Sequence, residues 1–112
     1  MNWHPLTTAD QLNSIDQASV NQTQLILKHS TRCSISDAAL SRLERNWQNE
    51  DSKKINPYYL DLIQYRDISN LAASHYGIEH QSPQVLIIKN GKCVYSATHF
   101  DINYKEIMFQ AI

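Results

Sequence analysis

Cys33 is the residue whose type and position most clearly point to chemistry. It follows an apolar run at residues 25–27, which is too short for a buried helix and fits a strand covered on both faces. Apolar residues then recur every four positions and predict one helical face: Ile35, Ala39, Leu43 and Trp47. Unsatisfied backbone N–H groups at a helix start favour a thiolate and lower the thiol pKa. We therefore predict that Cys33 is a nucleophile for thiol–disulfide exchange.

Polar residues surround this cysteine. We predict that four of them stabilise the thiolate by charge or hydrogen bonds: Thr31, Arg32, Ser34 and Ser36. Ser36 also occupies the position where a dithiol enzyme carries its second cysteine. Cys33 must therefore be resolved by an outside thiol or by Cys93, the only other cysteine. The alternatives are an ordinary helix-capping role for Cys33 and a structural role for Cys93.

The remaining pattern supplies the elements that position Cys33. Helices are predicted over residues 9–20, from Ile35 onwards, from Asp67 to a left-handed Gly77, and over residues 102–112. Strands are predicted over residues 23–29, 58–65, 85–89 and 92–98, and Asn90-Gly91 predicts a tight hairpin between the last two. This order predicts an α/β, thioredoxin-like fold with a mixed four-stranded sheet and helices on both faces. Residues 1–112 leave room for a single domain.

Ser82-Pro83 precedes the third predicted strand, where thioredoxin-like folds keep a cis-proline loop beside the reactive thiol. We predict a cis bond there, and we predict that Ser82 and Pro83 bind substrate through exposed backbone groups. A trans proline that merely starts a strand is the alternative. A direct bridge from Cys33 to Cys93 would require their α-carbons to lie within about 7 Å of each other.

Composition restricts the possible partners and the compartment. Ten basic and eleven acidic residues give a net charge of -1, so we expect no nucleic-acid partner. The longest aliphatic run is four residues, so we expect no membrane partner either. The first ten residues lack the pattern of an export signal, and the two cysteines are too sparse for a disulfide framework, so we expect a cytoplasmic protein. The five histidines show no metal-ligand spacing, so we predict no metal site.

Residues 28–36, Lys-His-Ser-Thr-Arg-Cys-Ser-Ile-Ser, resemble the YtxJ-like monothiol bacilliredoxin family, whose site is typically Thr-x-Cys-Pro-Ile-Ser after an apolar strand. Residues 58–63, 66–70 and 80–85 resemble that family too, so the likeness spans about Leu25 to Ile102. Ser34 stands where the family usually has proline. This change removes a residue that pre-sets the first helical turn and adds a hydrogen-bond donor.

The resemblance implies a thioredoxin-like fold and an enzyme that removes bacillithiol, a small cysteine-containing thiol, from protein mixed disulfides. Cys33 would be the nucleophile, S-thiolated proteins the substrates and bacillithiol or a similar low-molecular-weight thiol the co-substrate, with no bound cofactor. The alternatives are a redox-sensing module whose thiol does not turn over and a protein that binds an iron–sulfur cluster through Cys33.

Overall fold

A five-stranded mixed sheet forms the centre of the structure, a computed structural model that describes residues 1–112. The strands are β1 (His4–Pro5), β2 (Thr23–His29), β3 (Ile55–Asp61), β4 (Gln84–Lys89) and β5 (Lys92–Thr98), in the spatial order β1-β3-β2-β4-β5. The first three of these in space run parallel, whereas β4 is antiparallel to β2, and β5 is antiparallel to β4. The predicted thioredoxin-like class with helices on both faces is confirmed.

Five α-helices accompany the sheet: α1 (Asp10–Ala18), α2 (Ser34–Asn46), α3 (Asp51–Lys54), α4 (Arg66–Tyr76) and α5 (Tyr104–Ala111). A short 3-10 helix, His99–Asp101, follows β5. Gly77 ends α4 with a φ of 68°, as predicted. None of these helices has the length and apolar character needed to cross a membrane.

The predicted strand count was one too low. The extra strand, β1, pairs with Tyr58 and Tyr59 of β3. Because it is only two residues long, it carries no periodic pattern that the sequence could reveal. The end of β3 was also placed too late, because the chain turns at Asp61. The Asp61 carboxylate accepts the N–H groups of Ile63 and Gln64 at 3.1 and 3.3 Å, which closes a turn instead of extending the strand.

Alternate residues of β2 belong to two separate hydrophobic clusters, one on each face of the sheet. Leu25 and Leu27 pack with residues of α2 and α5 on one face of the sheet. Ile26 packs with residues of α1 and α4 on the other face. Residues 25–27 are all fully buried, as the apolar run predicts for a strand covered on both sides.

The register of the strands brings three loops to one end of the sheet. His29, the last residue of β2, pairs with Asp61 at the end of β3, and Lys28 pairs with Gln84 at the start of β4. The β2–α2 loop, the β3–α4 turn and the loop before β4 therefore meet at the same end of the sheet. Cys33 lies in the first of these loops, and Pro83 lies in the third.

Candidate active site

Cys33 is the N-terminal capping residue of α2. Its backbone is extended, with φ -119° and ψ 118°, and its N–H donates to the Ser30 carbonyl at 3.2 Å. Its own carbonyl accepts the Asp37 N–H at 3.1 Å, which starts the helix. The cysteine is a free thiol of intermediate exposure. The local backbone thus fixes the sulfur at the start of a thirteen-residue helix while leaving it accessible.

The helix start lowers the pKa of the Cys33 thiol below its ordinary value. The largest cause is a hydrogen bond from the Ser36 backbone N–H, and the Ile35 N–H and the Ser36 hydroxyl act in the same direction. Desolvation and the nearby Asp37 carboxylate oppose them. Backbone donors directed at the sulfur stabilise the thiolate selectively, which is the property a nucleophilic cysteine needs.

Ser36 is completely buried, and its hydroxyl forms no hydrogen bond of ordinary geometry with any group of the chain. The hydroxyl still contributes to the lowered pKa of Cys33, so it lies near the sulfur but is not fully engaged by the thiol. We infer that the Ser36 hydroxyl donates a hydrogen bond to the Cys33 sulfur when the thiol is ionised, because a hydrogen bond to a charged acceptor is stronger than one to a neutral acceptor.

The other three residues predicted to stabilise the thiolate lie at the loop surface. Thr31, Arg32 and Ser34 are exposed, and the causes of the lowered Cys33 pKa do not include their side chains. Arg32 instead uses its backbone N–H, which donates to Ser30 Oγ at 3.4 Å. Their proposed role on the thiolate stays a prediction, whereas Ser36 lies at the sulfur.

The Ser82–Pro83 peptide bond is cis, as predicted. Pro83 is buried, and its carbonyl accepts the His99 N–H at 3.1 Å, which ties this loop to the end of β5. The backbone N–H and carbonyl of Ser82 form no hydrogen bond within the chain, and its hydroxyl is buried without a partner. Pairing of Lys28 with Gln84 places this loop beside the end of β2, from which the chain leads to Cys33.

Cys93 lies at the opposite end of the sheet, so the suggestion that it could resolve Cys33 directly is wrong for this fold. Cys93 pairs with Ile88, and Ile88 pairs with Gln24 near the start of β2, five residues before His29. At a strand rise of about 3.3 Å per residue, that separation is roughly 16 Å, far beyond disulfide reach. Burial raises the pKa of the Cys93 thiol, whose Sγ donates to the Tyr95 carbonyl at 3.3 Å. These contacts favour the structural alternative.

A hydrogen-bonded chain that the sequence did not reveal reaches the first turns of α2. His29 Nε2 lies 3.1 Å from Asp37 Oδ1, and His29 Nδ1 lies 2.8 Å from the Tyr59 hydroxyl. The alternation of β2 offered one signal, because it puts His29 on the same face as Leu25 and Leu27, toward α2.

Lys28 points to the other face and is fully buried. Its Nζ donates to the Ser69 carbonyl at 3.0 Å and lies 3.3 Å from His80 Nδ1. Burial lowers the pKa of Lys28 to about 8. This basic pair lies at the site end of the sheet, on the face away from α2.

Comparison with known proteins agrees with this geometry. The family described as monothiol bacilliredoxin BrxC matches residues 4–107. A solved structure of a candidate oxidoreductase with a thioredoxin fold superposes with a TM-score of 0.83 at 30% identity, covering 96% of this chain and 92% of that one.

Two thioredoxins are similar in fold alone. Thioredoxin from Malassezia sympodialis has a TM-score of 0.75 at 16% identity, covering 98% of this chain and 88% of its own. Thioredoxin from Fasciola hepatica has a TM-score of 0.71 at 16% identity, covering 96% and 95%.

Proposed function

This chain belongs to the monothiol bacilliredoxin family, and from that premise we propose that it removes bacillithiol from protein mixed disulfides, with Cys33 as the nucleophile. Family and fold together make it a thiol–disulfide oxidoreductase. The observation that carries the proposal is a lone accessible thiol at the start of α2 whose pKa is lowered by backbone N–H groups. The backbone N–H and carbonyl of Ser82, in a loop at the same end of the sheet, have no partner within the chain and would be free to bind the substrate polypeptide.

The proposed reaction has two exchange steps. In the first, the Cys33 thiolate attacks the bacillithiol sulfur of the modified protein, the mixed disulfide breaks, and the protein cysteine leaves as a thiolate that takes a proton from water. Cys33 is then joined to bacillithiol. In the second, a low-molecular-weight thiolate attacks the bacillithiol sulfur of that adduct and releases the Cys33 thiolate together with a small-molecule disulfide.

Donors at the start of α2 serve both steps. The N–H groups of Ser36 and Ile35 stabilise the thiolate that attacks, and they stabilise the same thiolate when it leaves in the second step. A buried Ser36 hydroxyl without a partner adds a third donor at the sulfur. No rearrangement of the helix is needed between the two steps, because the donors belong to its first turn.

Ser82 would hold the protein substrate. Its free N–H and carbonyl can pair with an extended segment of the modified protein, in the manner of an added strand. The Pro83 carbonyl is not available for this pairing, since it accepts the His99 N–H. The contact would orient the mixed disulfide toward Cys33 without reading a particular side chain.

A monothiol route follows from the positions of the neighbouring groups. Ser36 cannot form a disulfide, and Cys93 lies at the far end of the sheet. The Cys33–bacillithiol adduct therefore has no internal thiol to release it and must wait for an outside thiol. Because two cysteines are too few for a disulfide framework, we also propose that the protein works in a reducing compartment, the cytoplasm being the expected one.

The decisive experiment incubates the protein with a bacillithiol-modified protein and follows release of the substrate thiol together with intact mass. We expect the adduct of one bacillithiol on the wild type and on Cys93→Ser, and none on Cys33→Ser. Added bacillithiol should then restore the free thiol over many turnovers. An adduct that never turns over would favour a redox sensor, and cluster absorbance bands in the purified protein would favour iron–sulfur binding; either result contradicts the proposal.

A further inference from the structure

His29 connects the sheet to the helix that carries Cys33. The His29 side chain is 3% exposed, whereas the Asp37 side chain that it contacts is 62% exposed. An exposed carboxylate ordinarily samples many rotamers in water, but here a rigid, buried ring holds one of its oxygens at 3.1 Å. Asp37 is also tied to Cys33, because the Asp37 N–H donates to the Cys33 carbonyl.

The hydrogen bonds define how His29 works. An Asp37 carboxylate can only accept, so the proton between the two side chains belongs to His29 Nε2. His29 Nδ1 is then free to accept the Tyr59 hydroxyl proton across 2.8 Å. Both ring nitrogens have a partner in this arrangement, and a hydrogen bond from Tyr59 to Nδ1 favours the tautomer that donates to Asp37 through Nε2.

We propose that His29 is a positioning residue for Cys33: it holds the Asp37 carboxylate in one orientation, on the residue whose N–H binds the Cys33 carbonyl. This role deepens the proposed exchange reaction and acts through Asp37, since His29 itself makes no hydrogen bond with the sulfur. The proposal predicts that removing His29 and removing the charge of Asp37 have the same effect on Cys33, and that the two effects do not add.

A balance of opposing effects explains why a carboxylate near the nucleophile is useful. The Ser36 and Ile35 N–H groups lower the pKa of Cys33, and Asp37 raises it. A thiolate loses intrinsic nucleophilicity as its pKa falls, so an attacking thiol works best when its pKa is near the ambient pH. The charge of Asp37 therefore keeps the helix start from making Cys33 a weak nucleophile.

Other charged groups act on this cluster from the neighbouring elements. Tyr59 of β3 faces His29. Burial is the main cause that raises the pKa of Tyr59, and the carboxylates of Asp61, Asp37 and Glu44 raise it further. Tyr59 therefore remains a hydroxyl donor over the pH range in which Cys33 titrates. Glu44 forms no hydrogen bond or ion pair within the chain, which makes it a matched control for loss of one charge from α2.

The test measures the rate of Cys33 alkylation by iodoacetamide against pH, in a Cys93→Ser background and without bacillithiol. Asp37→Asn keeps an oxygen for His29 but removes the charge. We expect it to move the midpoint of the profile to lower pH and to lower the high-pH plateau by about threefold for each pH unit of that shift. Glu44→Gln should leave midpoint and plateau unchanged.

A double-mutant cycle tests the coupling. His29→Phe should shift the midpoint in the same direction as Asp37→Asn, and the double variant should shift it no further. If His29→Phe does not fold, His29→Gln and Tyr59→Phe replace it, and nitrogen-15 shifts of the His29 ring report the tautomer directly. Additive midpoints, an unchanged profile in Asp37→Asn, or a proton on Nδ1 would overturn the proposal. Because no bacillithiol is used, these outcomes are independent of substrate identity.

Discussion

The buried Lys28 contacts the half-buried His80 at the site end of the sheet, with Lys28 Nζ 3.3 Å from His80 Nδ1 and no carboxylate bonded to either. Burial lowers the pKa of Lys28, and burial followed by the charge of Lys28 lowers the pKa of His80. Two cations at this distance repel each other, so the pair is most stable with His80 neutral and accepting through Nδ1. A buried lysine without a counterion costs stability whenever it is charged.

Lys28 should therefore make stability depend on pH. Its pKa is about 8 in the folded chain and 10.5 in the ordinary reference, so between these values the unfolded chain binds the proton that the folded chain has lost. The free energy of unfolding then rises with pH in this window and not below it. We expect urea titrations under reducing conditions to show the wild type gaining stability relative to Lys28→Met as pH rises through that window. Parallel curves for the two proteins would contradict the pKa assigned to Lys28.

The two thiols should react in different pH ranges. Donors at the start of α2 lower the pKa of Cys33, whereas burial raises the pKa of Cys93. We expect the alkylation midpoint to lie below that of an ordinary cysteine in Cys93→Ser and above it in Cys33→Ser. Unfolding either variant in urea should bring the two midpoints together, because both effects belong to the folded chain. Midpoints that already coincide in the folded proteins would show that the helix start does not activate Cys33.

Features of the fold that are set by residues close together in the sequence were predictable. The apolar run at residues 25–27 marked the central strand, and Asn90-Gly91 marked the hairpin, in which both residues have positive φ. Strand β1 was not predictable, because its two residues are ordered by pairing with Tyr58 and Tyr59 rather than by a pattern of their own. The four-residue helix α3 was missed because a helix of about one turn carries no periodic pattern of its own.

Prediction of the site succeeded for the backbone and failed for side-chain direction. A cysteine after a strand and before a helix must meet the N–H groups of the first turn, which are the donors found at Cys33. Arg32 was expected to act on the sulfur because it is adjacent in sequence, yet its side chain lies at the surface. The contact of His29 with Asp37 joins a strand to a helix across eight residues, and no local pattern specifies such a contact.

Gly77 offers a test of the fold apart from the site. Its φ is 68°, and a Cβ added there would meet no atom within 4 Å. Substitution therefore costs only the backbone strain of a left-handed L-residue. We expect Gly77→Ala to lower the free energy of unfolding by roughly 1–2 kcal/mol and Gly77→Asn to lower it less, since asparagine tolerates this conformation better. Denaturant unfolding checks both values, and an unchanged stability in Gly77→Ala would show that α4 does not need its left-handed end.

Ser36→Cys should convert the monothiol site into a dithiol site. Ser36 is buried at the Cys33 sulfur, in the first turn of α2, so a thiol in its place would lie where it can attack a Cys33–bacillithiol adduct. In a Cys93→Ser background we expect that adduct to be short-lived and the protein to accumulate as an internal disulfide, seen as a loss of about 2 Da in intact mass.

Ser36→Ala is the matched control, because it removes the hydroxyl without adding a thiol. It should still form the stable adduct but react more slowly near neutral pH, since one donor that lowers the pKa of Cys33 is gone. A persistent adduct in Ser36→Cys would mean that residue 36 cannot reach the Cys33 sulfur. The geometry of the site, and not only the lack of a cysteine at residue 36, would then prevent an internal disulfide with Cys33.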